Sequence, residues 1–144
     1  MKNKKLKISG GELCALALKD LNVGRVFTLI GNQISPALVY MNTHGIELTE
    51  VRHEQAAVHM AEGYSQVTRS PAVAMVSGGP GFTNAVTGIV KAYFARTPLL
   101  LIVGASVTGS RDKGGLQDMD QISMIKPYTQ WAGVCHDTAR IPEY

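Results

Sequence analysis

Four short apolar runs, separated by stretches of helical periodicity, leave this chain few folds to choose from. The runs are Arg25–Ile30, Ile46–Val51, Ala72–Val76 and Leu99–Val103, and three of them run into glycine within two residues. Between them lie longer amphipathic stretches. Residues 10–22 carry Leu13, Leu16, Ala17 and Leu21 at helical spacing, and Ser35 with Pro36 opens a second helix, Ser as N-cap and Pro at the first position. Residues 54–68 place Ala57, Met60, Ala61, Tyr64 and Val67 on one stripe, and residues 83–94 do the same with Val86, Ile89, Val90 and Tyr93. Such alternation predicts an α/β fold, a parallel sheet with helices on both faces. The unbroken run Leu99–Val103 is expected to be a central strand buried on both sides.

Composition narrows the class further. At 144 residues the chain suits one domain, and 45% hydrophobic against 17% charged residues excludes a disordered one. A net charge of +3 invites a nucleic-acid reading, but Lys2, Lys4, Lys5 and Lys7 all fall in a basic tail, residues 1–7. No basic face with interleaved aromatics follows, so no nucleic-acid partner is expected. Cys14 and Cys135 form neither a CxxC nor a Cys/His cluster, which predicts buried, reduced thiols in an intracellular chain. No apolar run is long enough for a bilayer, and no signal segment follows the lysines, so no membrane partner and a cytoplasmic location are expected. Residues 106–115 read as a long polar loop, and Trp131 is expected to pack on the sheet edge. Residues 139–144 read as the entry to another helix, which suggests a domain, 8–144, truncated at its C-terminal end.

Ligands of open parallel sheets sit beyond the carboxyl ends of the strands. Three segments fall there: Gly31 with Asn32 and Gln33, His53 with Glu54, and Ser77–Asn84. Glu54 follows a strand and begins a helix, where a carboxylate serves either as a dipole partner or as a general acid/base. His53 and Glu54 open an HExxH pattern, but position 57 is Ala57, so no metal is expected. His44 and His136 have no ligand neighbours and read as surface or core histidines. The turn Ser77–Gly81 offers either a tight strand–helix connection or a close approach to a flat ring or another chain. It is not a GxGxxG, no GK[ST] occurs, and no acidic ribose partner follows Val103, so a nucleotide-binding reading is discounted. Gln117, at the end of the polar loop, is the candidate for a polar substrate contact.

Together these motifs resemble the N-terminal pyrimidine-binding (Pyr) domain of thiamine-diphosphate enzymes of the acetolactate synthase type. The resemblance runs from Ile8 to the end, through Val51–Ala57, Met60–Tyr64, Gly79–Gly81 with Thr83 and Asn84, Thr87 with Gly88, and Leu116–Gln121. Phe27–Gly31 followed by Ile34–Pro36 is similar to the branch that includes 2-hydroxyacyl-CoA lyases. The resemblance implies that Glu54 hydrogen-bonds a ring nitrogen of the cofactor aminopyrimidine. It also implies that Gly31, Asn32, Gly79, Pro80, Gly81 and Asn84 line the cofactor, and that Gln117 faces its substrate end. Implied cofactors are thiamine diphosphate and Mg²⁺, with FAD in some members. The implied substrate is a 2-keto acid such as pyruvate, or a 2-hydroxyacyl-CoA.

Three departures stand out. Gly78 replaces a more usual Ser, Phe82 a smaller residue, and Asn32 with Gln33 stand where this branch often has Gly-His. The GDG…N motif that holds Mg²⁺ in the family is absent, so the middle and PP domains are expected elsewhere, in the same or a partner chain of a homodimer or homotetramer. A non-catalytic interaction domain of the same fold is the alternative from another class.

Overall fold

The computed structural model describes residues 8–110 and 113–144, so the basic tail lies outside the described residues. Its elements alternate as expected: α1 (Gly10–Asp20), β1 (Arg25–Thr28), α2 (Ser35–Thr43), β2 (Glu47–Glu50), α3 (Glu54–Thr68), β3 (Ala72–Val76), α4 (Pro80–Ala95) and β4 (Leu99–Val103). A short helix α5 (Gln121–Ile125) and 3-10 turns follow, the last at Thr138–Glu143. The four strands are all parallel in the order β2-β1-β3-β4. The chain leaves β1 toward β2 and returns to β3 on the other side of β1, which makes the β1/β3 boundary a topological switch point.

Alternate strand residues feed two cores. Phe27, Ala72, Ala74 and Val76 face α3 and α4, where they meet Ala57, Val58, Ala61, Phe82, Ala85 and Ile89. Val26, Val73 and Met75 face α1 and α2, against Ala15, Leu18, Leu38 and Met41. The period-2 alternation of β3 therefore divides five fully buried residues between two helical layers. The Thr28 hydroxyl, inside this core, donates to the Met75 carbonyl at 2.7 Å and ties β1 to β3.

Four expectations need correction. Leu99–Val103 is an edge strand, half-buried along its length, while β1 and β3 are central. The buried face of α3 is Ala57, Val58, Ala61, Glu62 and Ser65, whereas Met60, Tyr64 and Val67 are 43%, 40% and 85% exposed. Likewise Tyr93 on α4 and Leu21 beside α1 are exposed. The face is set by close helix packing, so small residues and a paired carboxylate lie inside where larger apolar ones were expected. Glu62 is buried between α3 and α4, where it pairs with the Lys91 ammonium and accepts from Gln66 Nε2 at 3.2 Å. Ser35 is the first helical residue of α2 and not its cap: Ile34 holds the N-cap position, and the Ser35 hydroxyl donates to the Gly31 carbonyl at 2.8 Å.

Two smaller corrections concern the C-terminal half. Trp131 is 58% exposed and lies beside the Tyr144 ring, with centroids 5.9 Å apart, instead of packing on the sheet edge. Cys135 is exposed and Cys14 half-buried, and burial pushes the Cys14 thiol above its ordinary value. Residues 139–144 continue a 3-10 turn that packs on the start of α1, where Gly10 faces Thr138 and Ile141. Among the described residues, no helix is long and apolar enough to cross a membrane.

The helices α3 and α4 approach unusually closely at Gly88. A Cβ there would stand 2.8 Å from the Val58 side chain and 3.6 Å from the Gln55 carbonyl oxygen. Gly88→Val is therefore expected to cost about 1–3 kcal/mol by overpacking. Adding Val58→Ala should recover part of that loss, because the two side chains contest one space. Urea unfolding of the two single variants and the double variant measures both effects.

Candidate functional site

The site grows from the carboxyl ends of β1 and β3. β1 gives way to a loop through Gly31, Asn32 and Gln33, and β3 runs through Ser77 and Gly78 to Gly79, the N-cap of α4. Gly79 adopts φ +60°, ψ −123°, a backbone region that glycine enters without strain. Pro80 then starts α4, its fixed φ suited to a first helical turn. Glu54 opens α3, and the His53 ring nitrogen Nδ1 caps that helix by accepting from the Gln55 N–H at 3.2 Å. His53 thus has a structural task, and among the described residues no group of three His, Cys, Asp or Glu could hold a metal ion.

Glu54 and Asn84 meet. The Asn84 amide Nδ2 donates to Glu54 Oε2 at 2.9 Å, one helix terminus against the other. The second oxygen, Oε1, borders a notch at Gly81: a Cβ there would stand 3.3 Å from Oε1 and 3.3 Å from the Ser77 Cβ. Ser77 closes the notch from the sheet side. Its hydroxyl is buried, and among the described residues it has no hydrogen-bond partner. The same hydroxyl lies 1.7 Å from where a Cβ on Gly31 would be, so Gly31 is glycine because Ser77 takes its side-chain space.

A second cluster adjoins the first. Gln117 sits over Gly79, whose Cβ would stand 2.8 Å from the Gln117 Cβ. Gln117 itself holds φ +62°, an uncommon conformation for a side-chain-bearing residue away from a helix end. With Asn32, Gln33, Ala105, Ser106, Val107, Ser110 and Leu116 it lines a cleft of about 250 Å³. These lining residues are uncharged, a mixture of apolar, hydroxyl and amide side chains. A larger open depression of about 460 Å³ lies among Trp131, Arg140, Glu143 and Tyr144, but none of the candidate site residues reaches it.

The departures at 33 and 78 have a common physical basis. Gln33 Oε1 accepts from the Gly78 N–H at 2.8 Å, and Gln33 packs on Gly104. Gln121 Nε2 donates to the Gly104 carbonyl at 3.1 Å, and a Cβ on Gly78 would lie 2.5 Å from that oxygen. A serine has no room there. Phe82 is buried under α4 as one of the largest fully enclosed side chains, so its extra bulk fills the core and stays out of the site.

The structure therefore brings Glu54, Asn84 and Gly81 together, and separately Asn32, Gln117 and Gly79. Gly31 backs onto Ser77, and Pro80 starts α4. Reading the sequence alone puts Ser77 and Gln33 in the strand-end segments and Gln121 in the Leu116–Gln121 motif, but gives none of them a contact. The signal for the glutamines was available in Gly78 and Gly104, two strand-end glycines that leave space for neighbouring side chains.

Comparison with known proteins identifies the family. The family described as thiamine pyrophosphate enzyme, N-terminal TPP binding domain, matches residues 8–124. The chain is 45% identical over 118 residues to 2-hydroxyacyl-CoA lyase 2 of Danio rerio, covering 82% of this chain and 19% of that protein. Against the same-named protein of Xenopus laevis it is 43% identical over 124 residues, 86% of this chain and 19% of the other. Against the acetolactate synthase large subunit of Lactococcus lactis subsp. lactis it is 38% identical over 144 residues, 96% of this chain and 25% of the other. The chain spans about a fifth to a quarter of the length of these curated relatives. The sequence motifs, the switch-point site and the family match converge: the chain belongs to the N-terminal, TPP-binding domains of thiamine pyrophosphate enzymes.

Proposed function

We propose that this chain is the cofactor-activating part of a thiamine-diphosphate enzyme of the acetolactate synthase type, which decarboxylates a 2-keto acid such as pyruvate and joins the remainder to a second carbonyl. The observation that carries the proposal is the half-buried Glu54 carboxyl, anchored through one oxygen and open through the other beside the notch at Gly81. The residues present fit the cofactor's aminopyrimidine. Gly81 leaves a space that a Cβ would fill, the Ser77 hydroxyl is buried without a partner, and Glu54 Oε1 is free to face a ring nitrogen.

Thiamine diphosphate, when bound, supplies a nucleophilic ring carbon that also stores an electron pair, chemistry that side chains lack. The chain's own residues do the rest. Glu54 holds a proton at its Oε1 for exchange with the ring nitrogen. Gly81 lets a flat ring approach the backbone closely, while Gly79 makes room for Gln117. Asn32 and Gln117 offer polar groups to the substrate end, in a cleft whose volume of about 250 Å³ suits a short acyl or keto-acid group. Mg²⁺ and the diphosphate belong, in this reading, to a PP domain of the same or a partner chain in a homodimer or homotetramer, as does FAD in a flavin-using enzyme. The reading also keeps the protein cytoplasmic, without nucleic-acid or membrane partners, and this chain by itself inactive.

A second reading, C–C cleavage of a 2-hydroxyacyl-CoA, is favoured by the higher identity to relatives bearing the lyase name. Assaying the full-length protein on pyruvate and on a 2-hydroxyacyl-CoA separates the two.

Glu54→Gln keeps the shape and removes the exchangeable acid. In the full-length enzyme it should lower kcat by roughly 10²–10⁴-fold with the fold intact by circular dichroism. An interaction module would lose nothing measurable. Ser77→Ala deletes an unpartnered buried hydroxyl, so the cofactor-free protein should be as stable or more stable by about 1 kcal/mol. Its affinity for thiamine diphosphate should fall by about five- to tenfold, the worth of one hydrogen bond. Thermal unfolding with and without the cofactor measures both.

A further inference from the structure

We propose that Asn84 is a positioning residue that fixes which oxygen of Glu54 carries the exchangeable proton. The proposal rests on the reading of Glu54 given above and assigns Asn84 a task the sequence did not suggest: it acts through Glu54 and has no direct hold on the cofactor.

Asn84 lies in the first turns of α4, on the side that meets the start of α3. Its Nδ2 stands 2.9 Å from Glu54 Oε2. An amide NH₂ donates and does not accept, so Oε2 is held as an accepting oxygen whether the carboxyl is protonated or not. A protonated Oε2 would be the poorer acceptor, so the amide favours the form that keeps the proton off Oε2. The proton's place is therefore Oε1, which has no partner among the described residues and borders the Gly81 notch.

Without that anchor the carboxyl would turn about its terminal bond, which is soft and close to two-fold, and exchange its two oxygens. Half the orientations would then bury the proton against α4. The anchor is itself held by packing, because Gly88 against Val58 sets how far α4 lies from α3. Asn84 is exposed and belongs to neither core, so its substitution leaves the cores untouched.

The test uses the full-length holoenzyme with Asn84→Ala, Asn84→Asp, Asn84→Gln and Glu54→Gln. Two quantities are measured: the Kd for thiamine diphosphate by calorimetry, and the rate of hydrogen–deuterium exchange at the cofactor's reactive ring carbon by NMR. Exchange should slow by about 10–100-fold in Asn84→Ala, the usual effect of losing an orienting partner, and further in Asn84→Asp, while Kd stays within about threefold. Asn84→Gln keeps an amide donor at an exposed position and should recover most of the exchange rate. Exchange within about twofold of wild type in Asn84→Ala, or a loss of affinity as large as the loss of exchange, overturns the proposal and leaves the reading of Glu54 standing. Wild-type exchange in Glu54→Gln removes that reading itself.

Discussion

The arrangement at the strand ends depends on how closely α4 can lie against α3, and that distance is set by side chains α4 does not have. Gly81 and Gly88 stand seven residues apart, two turns along one helical face, and each faces α3. Ala85, on the same face, is fully buried. Against this smooth stripe α3 presents Ala57, Val58 and Ala61, all fully buried. The gain is dispersion contact over the whole helix pair, and the consequence is that two helix starts, with Glu54 and Asn84, come within a hydrogen bond. Farther along, Lys91 reaches back to the buried Glu62 and fixes the same pair of helices by charge. A packing solution near the middle of the helices thus decides the chemistry at their ends.

The fold was largely legible because it rests on local signals. Four apolar runs and four helical stretches follow from periodicity, and each appears where the pattern put it. Burial was harder to read. The stripe Met60, Tyr64, Val67 satisfies helical spacing as well as the observed face does, and the sequence gives no weight to Glu62 or Ser65 as inward residues. Their inward place depends on partners from distant segments, Lys91 for Glu62 and the Pro98 carbonyl for Ser65 at 2.8 Å. Strand order is equally non-local: Leu99–Val103 is as apolar as Ala72–Val76, and only the topology makes the first an edge and the second a centre.

The site was legible as a set of residues and not as a set of contacts. Glu54, Gly81 and Asn84 were each recognisable, but the bond between the first and last joins positions thirty residues apart. The amides behave in the same way. Gln33 and Gln121 clasp the two glycines Gly78 and Gly104 from different directions, so four positions that look independent in the sequence form one unit. Substituting either glutamine alone leaves the Gly78 N–H or the Gly104 carbonyl without its side-chain partner.

Gly31 and Ser77 impose a similar dependence on each other. The space beside Gly31 is filled by the Ser77 hydroxyl, and even the Ser77 Cβ lies 2.9 Å from where a Gly31 Cβ would stand. A side chain at position 31 would meet the Ser77 hydroxyl first and then its Cβ, so position 31 accepts one only if Ser77 changes or the backbone between them shifts. The ends of β1 and β3 are therefore coupled at this corner of the sheet, and a change at the first has to be accommodated at the second.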